Sequence, residues 1–378
     1  MDVQMKIGIG STVMTKGFSH SGIDGIGQYT SNMIKELTNL NLDIIETNFN
    51  EKYNKKNNYS MNNTFYINKY NLLASKFNIE TKIMKSFQNK VSLFHAMDYY
   101  IPTFSKIPVI STVMDTIPLS HPEWISDGLF NKLKVRLWKS AIENANHIIT
   151  ISNFSKLEIL KHTNILEKNI SVIPLGINPI FKKYTKETLP IDNLKSLKIP
   201  RNYFLSVGTI QPRKNFEKLI DAHLCLPDSY REAYPLIIVG RYGWGCKKLY
   251  DALKFNKNKN IIWLNYVDER ALVTLMKNCY ALVIPSLYEG FGLPLLEGFA
   301  SKVPVIASNS SSLSEIGKNY FIEVDSNNHR EISLAMQNLI ERKSSFDPLI
   351  KKAFLYSEKF LWSRTAKDTI NVYKKYLR

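Results

Sequence analysis

The sequence predicts an α/β protein with two Rossmann-like, doubly wound parallel sheets, and three observations lead to this fold class. The chain has 378 residues, which is enough for two hydrophobic cores at roughly 100–200 residues per domain. Short apolar runs alternate with helical stretches, as is typical of parallel strands covered on both faces. This alternation runs once and restarts beyond residue 200. We therefore expect two domains facing each other across a ligand-binding cleft.

The first series of elements begins with a strand at Ile7–Ile9, a glycine-rich loop and a helix near Tyr29–Leu40. Residues 48–63 are rich in Asn and Lys and poor in apolar residues, which predicts an exposed loop. A helix is predicted at Gly128–Ala145. The remaining strands of this series are predicted at Val91–His95, Val109–Val113, His147–Ile151 and Ser171–Ile173.

The second series repeats the pattern, and the last segment, Lys351–Arg378, is helical and basic with no strand after it. Strands are predicted at Tyr203–Val207, Pro235–Val239, Ile261–Leu264, Ala281–Pro285, Val303–Ala307 and Phe321–Val324. Helices are predicted at Phe216–Leu226, Glu269–Asn278, Leu293–Ala300 and Ser314–Ile316.

The composition narrows the class of protein. A net charge of +17 favours an anionic partner, which could be nucleic acid, a phosphorylated small molecule or an anionic membrane surface. Three widely spaced cysteines without Cys/His ligand spacing predict reduced thiols in a cytoplasmic protein and no bound metal. The N-terminus does not read as a signal peptide, and no apolar run is long enough to predict a membrane span.

The most specific motif follows the predicted strand at Ala281–Pro285. Gly290 and Gly292 let the backbone approach a ligand, and the helix that begins at Leu293 offers free N–H groups for a phosphate or a developing anion. Glu289 and Glu297 supply carboxylate acceptors for a ligand rich in hydroxyl groups. The structural alternative is a helix N-terminus that is merely stabilised by acidic charge.

A second motif joins the strand at Tyr203–Val207 to the helix at Phe216–Leu226. Gly208 leaves the backbone bare, and Arg213 and Lys214 precede a helix start, where the helix dipole disfavours cations. Cations in such a position predict a bound anion, naturally a diphosphate. Solvated surface charge is the alternative.

A third, glycine-rich segment contains Gly25, Gly27 and Tyr29 and leads into the first helix. It lacks the third glycine of the G-x-G-x-x-G pattern, so a nicotinamide site is only weakly supported, while contact with a phosphate or sugar remains compatible. Four polar residues at or just after strand ends could bind an acceptor hydroxyl or transfer a proton: His95, Asp98, Asp115 and His121. Capping or core roles are equally compatible.

Within residues 130–145, Leu133, Leu137, Trp138 and Ile142 share one helical face beside four basic residues. Such a stripe is typical of a core-facing helix, although it could also lie on an anionic bilayer. The basic C-terminal helix is a second candidate for membrane contact.

Taken together, these segments resemble the retaining family-4 (group 1) glycosyltransferases of GT-B fold. The segments that carry the resemblance are Gly25–Tyr29, Asp115–Pro118, Ile149–Ser155, Val172–Asn178, Val207–Asn215 and, with the E-x7-E pattern, Glu289–Glu297. The resemblance implies an acceptor-binding domain at 1–180, a nucleotide-sugar-binding domain at 181–354 and a helical segment at 355–378 that returns to the first domain. It also implies transfer without a divalent metal or other cofactor.

The resemblance assigns roles to individual residues. Arg213 and Lys214 would neutralise the diphosphate, Glu289 would hold sugar hydroxyls, and Glu297 would accept from the ribose. Further donor contacts would come from Gly208, Tyr266, Val267, Gly290, Phe291, Gly292 and Leu293. Asp115 and His95 complete the predicted catalytic set. The acceptor side, with Gly25, Gly27, Tyr29, Asp98 and His121, departs from the family because Met114 stands where relatives often have histidine.

We therefore expect a hexosyltransferase of surface-polysaccharide synthesis, with GDP-mannose as the first expected donor and a saccharide or lipid-linked saccharide as acceptor. A UDP-sugar donor is the closest alternative, and a non-catalytic sugar-nucleotide-binding protein is an alternative of another class. A nucleic-acid partner is not expected, because no RNP-like aromatic motif or recognition helix is present. The expected location is the cytoplasm or the inner face of the cytoplasmic membrane.

Overall fold

The computed structural model describes residues 6–20, 24–49, 64–67, 69–76, 79–125, 129–183, 199–254 and 260–377. It divides into two compact units. The first comprises the described residues within Met1–Ser120, Asp127–Gly176 and Leu361–Arg378, and the second those within His121–Ser126 and Ile177–Phe360.

The first unit is built on a seven-stranded parallel sheet in the order β3-β2-β1-β4-β5-β6-β7. Its strands are β1 (Lys6–Gly10), β2 (Asp43–Asn48), β3 (Thr64–Tyr66), β4 (Leu93–Ala96), β5 (Val109–Thr112), β6 (His147–Thr150) and β7 (Ile170–Val172). Its helices are α1 (Thr12–His20), α2 (Gly25–Asn39), α3 (Lys69–Lys76), α4 (Lys82–Gln88), α5 (Ile117–Ser120), α6 (Leu129–Glu143) and α7 (Asn153–His162).

The expected exposed loop at 48–63 is wrong at its start. Asn48 ends β2, and Phe49 is fully buried beside Phe94 in the core of the first unit. Burial of this aromatic side chain stabilises the end of β2, whatever the polarity of the residues that follow. The rest of the predicted loop, residues 50–63, lies outside the described residues.

The second unit has a six-stranded parallel sheet in the order β10-β9-β8-β11-β12-β13. Its strands are β8 (Phe204–Val207), β9 (Leu236–Val239), β10 (Ile261–Leu264), β11 (Ala281–Ile284), β12 (Val305–Ser308) and β13 (Ile322–Val324). Its helices are α8 (Ile180–Lys183), α9 (Phe216–Leu224), α10 (Asp228–Ala233), α11 (Lys247–Lys254), α12 (Glu269–Asn278), α13 (Leu293–Ala300), α14 (Ser311–Gly317), α15 (His329–Glu341) and α16 (Asp347–Ser357).

Sheet order fixes where the functional motifs lie. In the second unit the strand order reverses between β8 and β11, which pair in parallel. In open α/β sheets such a reversal creates a crevice at the carboxyl ends of the strands, where ligands bind. The loops after β8 and β11 carry the Arg213–Lys214 and Glu289–Gly292 segments, so both motifs lie at this point of the sheet.

The last helix, α17 (Trp362–Tyr376), belongs to the first unit and packs against α2. The Tyr373 hydroxyl lies 2.6 Å from Nδ1 of His95, and the Tyr376 hydroxyl lies 3.1 Å from Nδ1 of His147. The Thr365 hydroxyl donates to the carbonyl of Pro174 at 2.8 Å. These bonds connect the end of the chain to β4, β6 and the segment after β7.

We predict that Gly176→Ala destabilises this attachment. An added Cβ would lie 2.6 Å from Cγ of the buried Trp362 ring and would also clash with the Trp362 backbone. Overpacking of this kind costs about 1–3 kcal/mol and lowers the melting temperature of the first unit by several degrees. Thermal unfolding followed by circular dichroism measures the change. Gly25→Ala is the matched control, because nothing lies within 4 Å of its Cβ position; equal melting temperatures for the two variants would contradict the packing account.

Candidate active site

The Glu289 loop connects β11 to α13 and is shaped by Gly292. This glycine has φ of +93°, in the left-handed region, and an added Cβ would lie 2.5 Å from Cδ2 of Leu313. Glycine is therefore required here on both conformational and steric grounds. Pro294 then occupies the first turn of α13, which starts the helix at Leu293.

Glu289 lies at the centre of a buried ionic cluster. Its Oε1 accepts hydrogen bonds from Nζ of Lys214 at 2.6 Å and from the Ser286 hydroxyl at 2.7 Å. Its Oε2 accepts from Nη1 of Arg213 at 2.8 Å, and the same Nη1 donates to the carbonyl of Tyr288 at 3.2 Å. The structure thus brings together the three residues that the sequence motifs singled out, although Lys214 and Glu289 are 75 positions apart.

The two cations of this cluster hold Glu289 in its ionised form. Burial alone would raise the pKa of Glu289, but Lys214 and Arg213 outweigh it and lower the pKa to about 2. The carboxylate is therefore ionised at neutral pH. Burial lowers the pKa of the Lys214 ammonium, and the neighbouring Glu289 opposes this effect. Arg213 and Lys214 thus share the Glu289 carboxylate, and Glu297 is a second acidic group that acts on Lys214.

Local structure places the two cations. Pro212–Lys214 form a 3₁₀ turn that ends at Asn215, whose backbone is left-handed at φ of +56°. The Asn215 side-chain amide donates to the carbonyls of Pro285 and Ser326 at 3.1 and 2.7 Å, which joins this turn to the Glu289 loop. Gly208 lies beside the lysine, since an added Cβ would be 3.0 Å from Cε of Lys214.

Glu297, one turn into α13, has the opposite electrostatic character to Glu289. Burial raises its pKa to about 7, the nearby Glu269 carboxylate adds to the increase, and Lys214 partly offsets it. A carboxyl group with a pKa near neutrality changes its charge in the physiological range. It can therefore accept hydrogen bonds from a diol when ionised.

The loop after β10 presents an exposed aromatic ring. Tyr266 is 58% exposed, and the Arg241 guanidinium lies 4.2 Å from its ring centroid in a cation–π arrangement. Val267 follows it. By contrast, the Phe291 side chain is buried and contacts Phe360 edge-on, so that only its backbone is suited to a ligand.

His95 does not fit the predicted catalytic role. It lies within β4, is completely buried, and has both ring nitrogens engaged, Nδ1 with Tyr373 and Nε2 with Thr112 at 2.7 Å. Burial lowers its pKa to about 3, which holds the ring neutral. Tyr29 shares this buried network, because its hydroxyl lies 2.9 Å from Oγ1 of Thr112. We propose that both residues are structural.

Asp98 also supports the backbone. Its oxygens accept from the N–H groups of Val13, at the start of α1, and of Tyr100, at 3.0 and 2.9 Å. Burial raises its pKa to about 6, and these hydrogen bonds oppose the increase. Asp98 and Asp115 both line a small cavity in the first unit, where Met114 and Ile26 are neighbours.

The predicted glycine-rich segment starts α2. Gly25 is the first helical residue and is exposed, while the N–H of Gly27 donates to the Asp24 side chain at 2.8 Å. Asp24 caps the N-terminus of α2, and this capping role explains an acidic residue directly before Gly25. With Ile26 at the cavity, this helix start remains a candidate for acceptor contact.

His121 was expected with the first domain, but it belongs to the second unit. Its ring stacks on Trp124 with centroids 3.9 Å apart and meets Tyr288 edge-on at 5.5 Å. His121 therefore lies beside the Glu289 loop.

Comparison with known proteins identifies the family. Residues 192–355 match the model described as glycosyl transferases group 1, and residues 23–180 match the glycosyltransferase family 4 model. The chain belongs to the group 1 glycosyltransferases. It is 29% identical to the O-antigen chain mannosyltransferase B of Escherichia coli over 75% of this chain and 74% of that protein.

Solved structures show that the fold of this glycosyltransferase is GT-B. Sucrose-phosphate synthase from Thermosynechococcus elongatus superposes with a TM-score of 0.75 at 17% identity, covering 98% of both chains. The Anabaena protein HepE, solved in complex with UDP and glucose, gives 0.74 at 15% identity over 98% of this chain and 100% of that chain.

Sequence reasoning gave no role to four residues that contact the Glu289 loop or Tyr266 in the structure: Ser286, Asn215, Arg241 and Trp124. Small polar and aromatic residues in loops gave no distinguishing pattern, and their role depends on partners far away in sequence. Within the described ranges, no group of three or more His, Cys, Asp or Glu side chains is arranged to hold a metal ion. Nor does any described helix combine the length and apolarity needed to cross a membrane.

Proposed function

We propose that this glycosyltransferase moves mannose from GDP-mannose onto a saccharide or lipid-linked saccharide acceptor, in the synthesis of an O-antigen or capsule-type polysaccharide. The observation that supports a nucleotide-sugar donor is that Arg213 and Lys214 both donate to buried Glu289. The similarity to an O-antigen mannosyltransferase supports mannose as the sugar.

In this proposal the Glu289 cluster exchanges partners when the donor binds. The diphosphate of the donor accepts hydrogen bonds from Arg213 and Lys214 and replaces Glu289 as their principal counter-ion. A Glu289 oxygen then becomes available for sugar hydroxyls. As the glycosidic bond to phosphate breaks, negative charge grows on the leaving diphosphate, and the two fixed cations stabilise it.

The remaining donor contacts follow from the same loops. Backbone N–H groups of Gly290, Phe291, Gly292 and Leu293 face the donor, Glu297 accepts from the ribose, and Tyr266 with Val267 contacts the base. These are the roles that the family resemblance assigned. The exposed Tyr266 ring with Arg241 is compatible with base stacking.

A UDP-sugar is the second candidate donor, favoured by the structural likeness to HepE, which was solved with UDP and glucose. Incubation with GDP-mannose, UDP-glucose, UDP-galactose and UDP-GlcNAc, with purified lipid-linked oligosaccharides as acceptors and mass spectrometry as readout, decides between them. A product that gains a hexose from GDP-mannose alone supports the proposal. Transfer from a UDP-sugar only would replace it, and transfer from none would support a non-catalytic binding protein.

We further propose that transfer retains the anomeric configuration and needs no divalent metal, since Arg213 and Lys214 supply the positive charge that a metal gives to a diphosphate elsewhere. Proton NMR of the product compares its anomeric configuration with that of the donor. Turnover in EDTA should equal turnover in Mg²⁺. An inverted product would contradict the proposed retention. Complete loss of turnover in EDTA would contradict the proposed metal independence.

We also propose that the protein works at the cytoplasmic face of an anionic membrane. The apolar residues that were predicted to share one face of α6 differ in burial. Trp138 and Ile142 are buried in the core, while Leu133 is 51% exposed. Lys132, Lys134 and Arg136 are exposed on the same helix, and Tyr70 and Leu73 are exposed on neighbouring α3. Basic and apolar groups together suit an anionic lipid surface.

Co-sedimentation with phosphatidylglycerol vesicles tests this surface. Changing Lys132, Lys134 and Arg136 to Glu should abolish binding, whereas the same change at Lys247, Lys248 and Lys254 of α11 should leave most of it. Equal binding by both triple variants would contradict the proposal.

The raised pKa of Glu297 predicts a pH-dependent affinity for the donor. If its ionised form accepts from the ribose, protonation below pH 7 weakens binding and ionisation above pH 7 restores it. The donor KM should therefore fall roughly tenfold from pH 6 to pH 8, as the ionised fraction rises through a pKa of about 7. Initial rates at varied concentrations of intact nucleotide sugar measure this KM. The diphosphate of a nucleotide sugar has no terminal phosphate that would titrate between pH 6 and pH 8.

The Glu297→Gln variant serves as the control for this profile. It should show a donor KM that is higher than that of the wild type at pH 8 and flat between pH 6 and pH 8. A variant profile that keeps the wild-type slope would assign the titration to another group.

A further inference from the structure

A short aromatic segment lies against the Glu289 loop. Residues 121–125 contain a 3₁₀ turn at Pro122–Trp124, and the His121 and Trp124 rings stack almost parallel, 12° apart. Both rings meet Tyr288 edge-on, at 5.5 Å from His121 and 6.4 Å from Trp124. Tyr288 precedes Glu289, and its carbonyl accepts from Arg213. Tyr288 therefore connects the stacked rings of His121 and Trp124 to the Glu289 cluster.

The segment is held in a defined orientation. Nε1 of Trp244 donates to the carbonyl of Trp124 at 2.6 Å, which fixes the turn through its backbone. Nδ1 of His121 lies 2.9 Å from Oε1 of Glu123, so that a Nδ1–H tautomer donates to the carboxylate. In that tautomer Nε2 is a hydrogen-bond acceptor.

The segment at 121–125 is partly exposed and is not a buried part of the hydrophobic core. The Tyr288 ring is buried, with 3% exposed, but the His121 side chain is 34% exposed, the Glu123 side chain is 60% exposed, and Trp124 is only partly buried. A stacked aromatic pair with an imidazole nitrogen and a carboxylate at its edge matches the chemistry of a pyranose. The apolar C–H face of the sugar packs on an aromatic ring, while its hydroxyls bind polar groups around the rim.

We propose that His121, Glu123 and Trp124 form a binding platform for the acceptor sugar beside Glu289. This rests on the proposed function, because the platform has a use only if a sugar is transferred. The acceptor is the substrate to assign, since each part of a nucleotide sugar already has a partner: Arg213 and Lys214 for the diphosphate, Glu289 for the sugar, and further residues for ribose and base.

The test measures acceptor binding separately from donor binding. Saturation-transfer NMR with the methyl glycosides of mannose, glucose, galactose and N-acetylglucosamine, in the presence of GDP, reports contact with a pyranose. At least one glycoside should bind the wild type. Trp124→Ala should weaken its affinity about tenfold, the loss expected when a stacked aromatic face is removed, and Trp124→Phe should retain most of it.

Donor affinity serves as the internal control. The Kd of GDP should change less than twofold in Trp124→Ala and in Glu123→Gln, and Glu123→Gln should weaken glycoside binding without lowering the melting temperature. His121→Ala should likewise weaken glycoside binding and leave the Kd of GDP unchanged within twofold. His329→Ala, on α15, is its matched histidine control and should bind both ligands as the wild type does. If Trp124→Ala fails to fold, Trp124→Phe and Glu123→Gln still carry the comparison.

Three results would overturn the platform while leaving the proposed function in place. One is normal glycoside binding by Trp124→Ala and Glu123→Gln. Another is an equal loss of glycoside and GDP affinity, which would make the segment a structural brace for the donor loop. The third is the absence of binding by every glycoside to the wild type while GDP binds. Failure of the wild type to bind any nucleotide would instead contradict the proposed function itself.

Discussion

Replacing Lys214 by alanine should reduce kcat/KM by about 10³-fold while leaving the fold intact. Lys214 is buried and donates to Oε1 of Glu289 at 2.6 Å, so its ammonium group sits where the proposed diphosphate develops charge. Loss of one preorganised donor to a developing anion costs roughly 10²–10³ in rate, and the lost full charge places Lys214 at the upper end of that range. Initial rates with the accepted donor measure the effect.

Stability is the necessary second readout for Lys214→Ala. Arg213 and Ser286 still bond Glu289 in the variant, so the carboxylate is not left without partners. The melting temperature should fall only modestly. Lys218→Ala, an exposed lysine on α9, is the control and should keep full activity. Full activity in Lys214→Ala would refute its assignment to the diphosphate.

Replacing Glu289 by glutamine should abolish turnover and change how nucleotides affect stability. Without the carboxylate, Arg213 and buried Lys214 lose the anion that both of them contact, and breaking such a buried pair costs about 3–5 kcal/mol. A bound nucleoside diphosphate would return the missing negative charge. The rise in melting temperature on adding GDP should therefore be larger in Glu289→Gln than in the wild type.

Thermal shift assays with and without GDP, combined with rate measurements, check both effects. Glu323→Gln, at an exposed position on β13, controls for removal of one negative charge and should behave as the wild type. A smaller GDP-induced shift in Glu289→Gln than in the wild type would show that Glu289, and not the two cations, provides the nucleotide site.

The two motifs of the proposed donor site could be recognised because each of them is contiguous in the sequence. Glu289, Gly292 and Glu297 lie within one strand–loop–helix unit, and Arg213 with Lys214 lies in another. Helix α13 has the predicted bounds, Leu293–Ala300. The mutual neutralisation of these residues was not predictable, because the pairing joins loops 75 positions apart and depends on the order of β8 and β11.

The roles of the histidines could not be predicted from the sequence, because His95 and His121 differ mainly in tertiary context. His95 is part of a buried strand, and its partner Tyr373 lies 278 positions away on the last helix. His121 directly follows α5 of the first unit in the sequence, but it belongs to the second unit, where its ring contacts Tyr288. Strand β2 was missed because Asp43, Glu46 and Asn48 interrupt its apolar pattern, although two neighbouring strands pair with it.

Binding of nucleoside diphosphates by calorimetry tests the central claim, that Arg213, Lys214 and Glu289 form a diphosphate site. GDP should bind the wild type much more tightly than GMP or guanosine. The double variant Arg213→Ala/Lys214→Ala should bind all three ligands with similar, weak affinity. Equal affinities of the wild type for GDP, GMP and guanosine, or unchanged GDP binding by the double variant, would contradict the account.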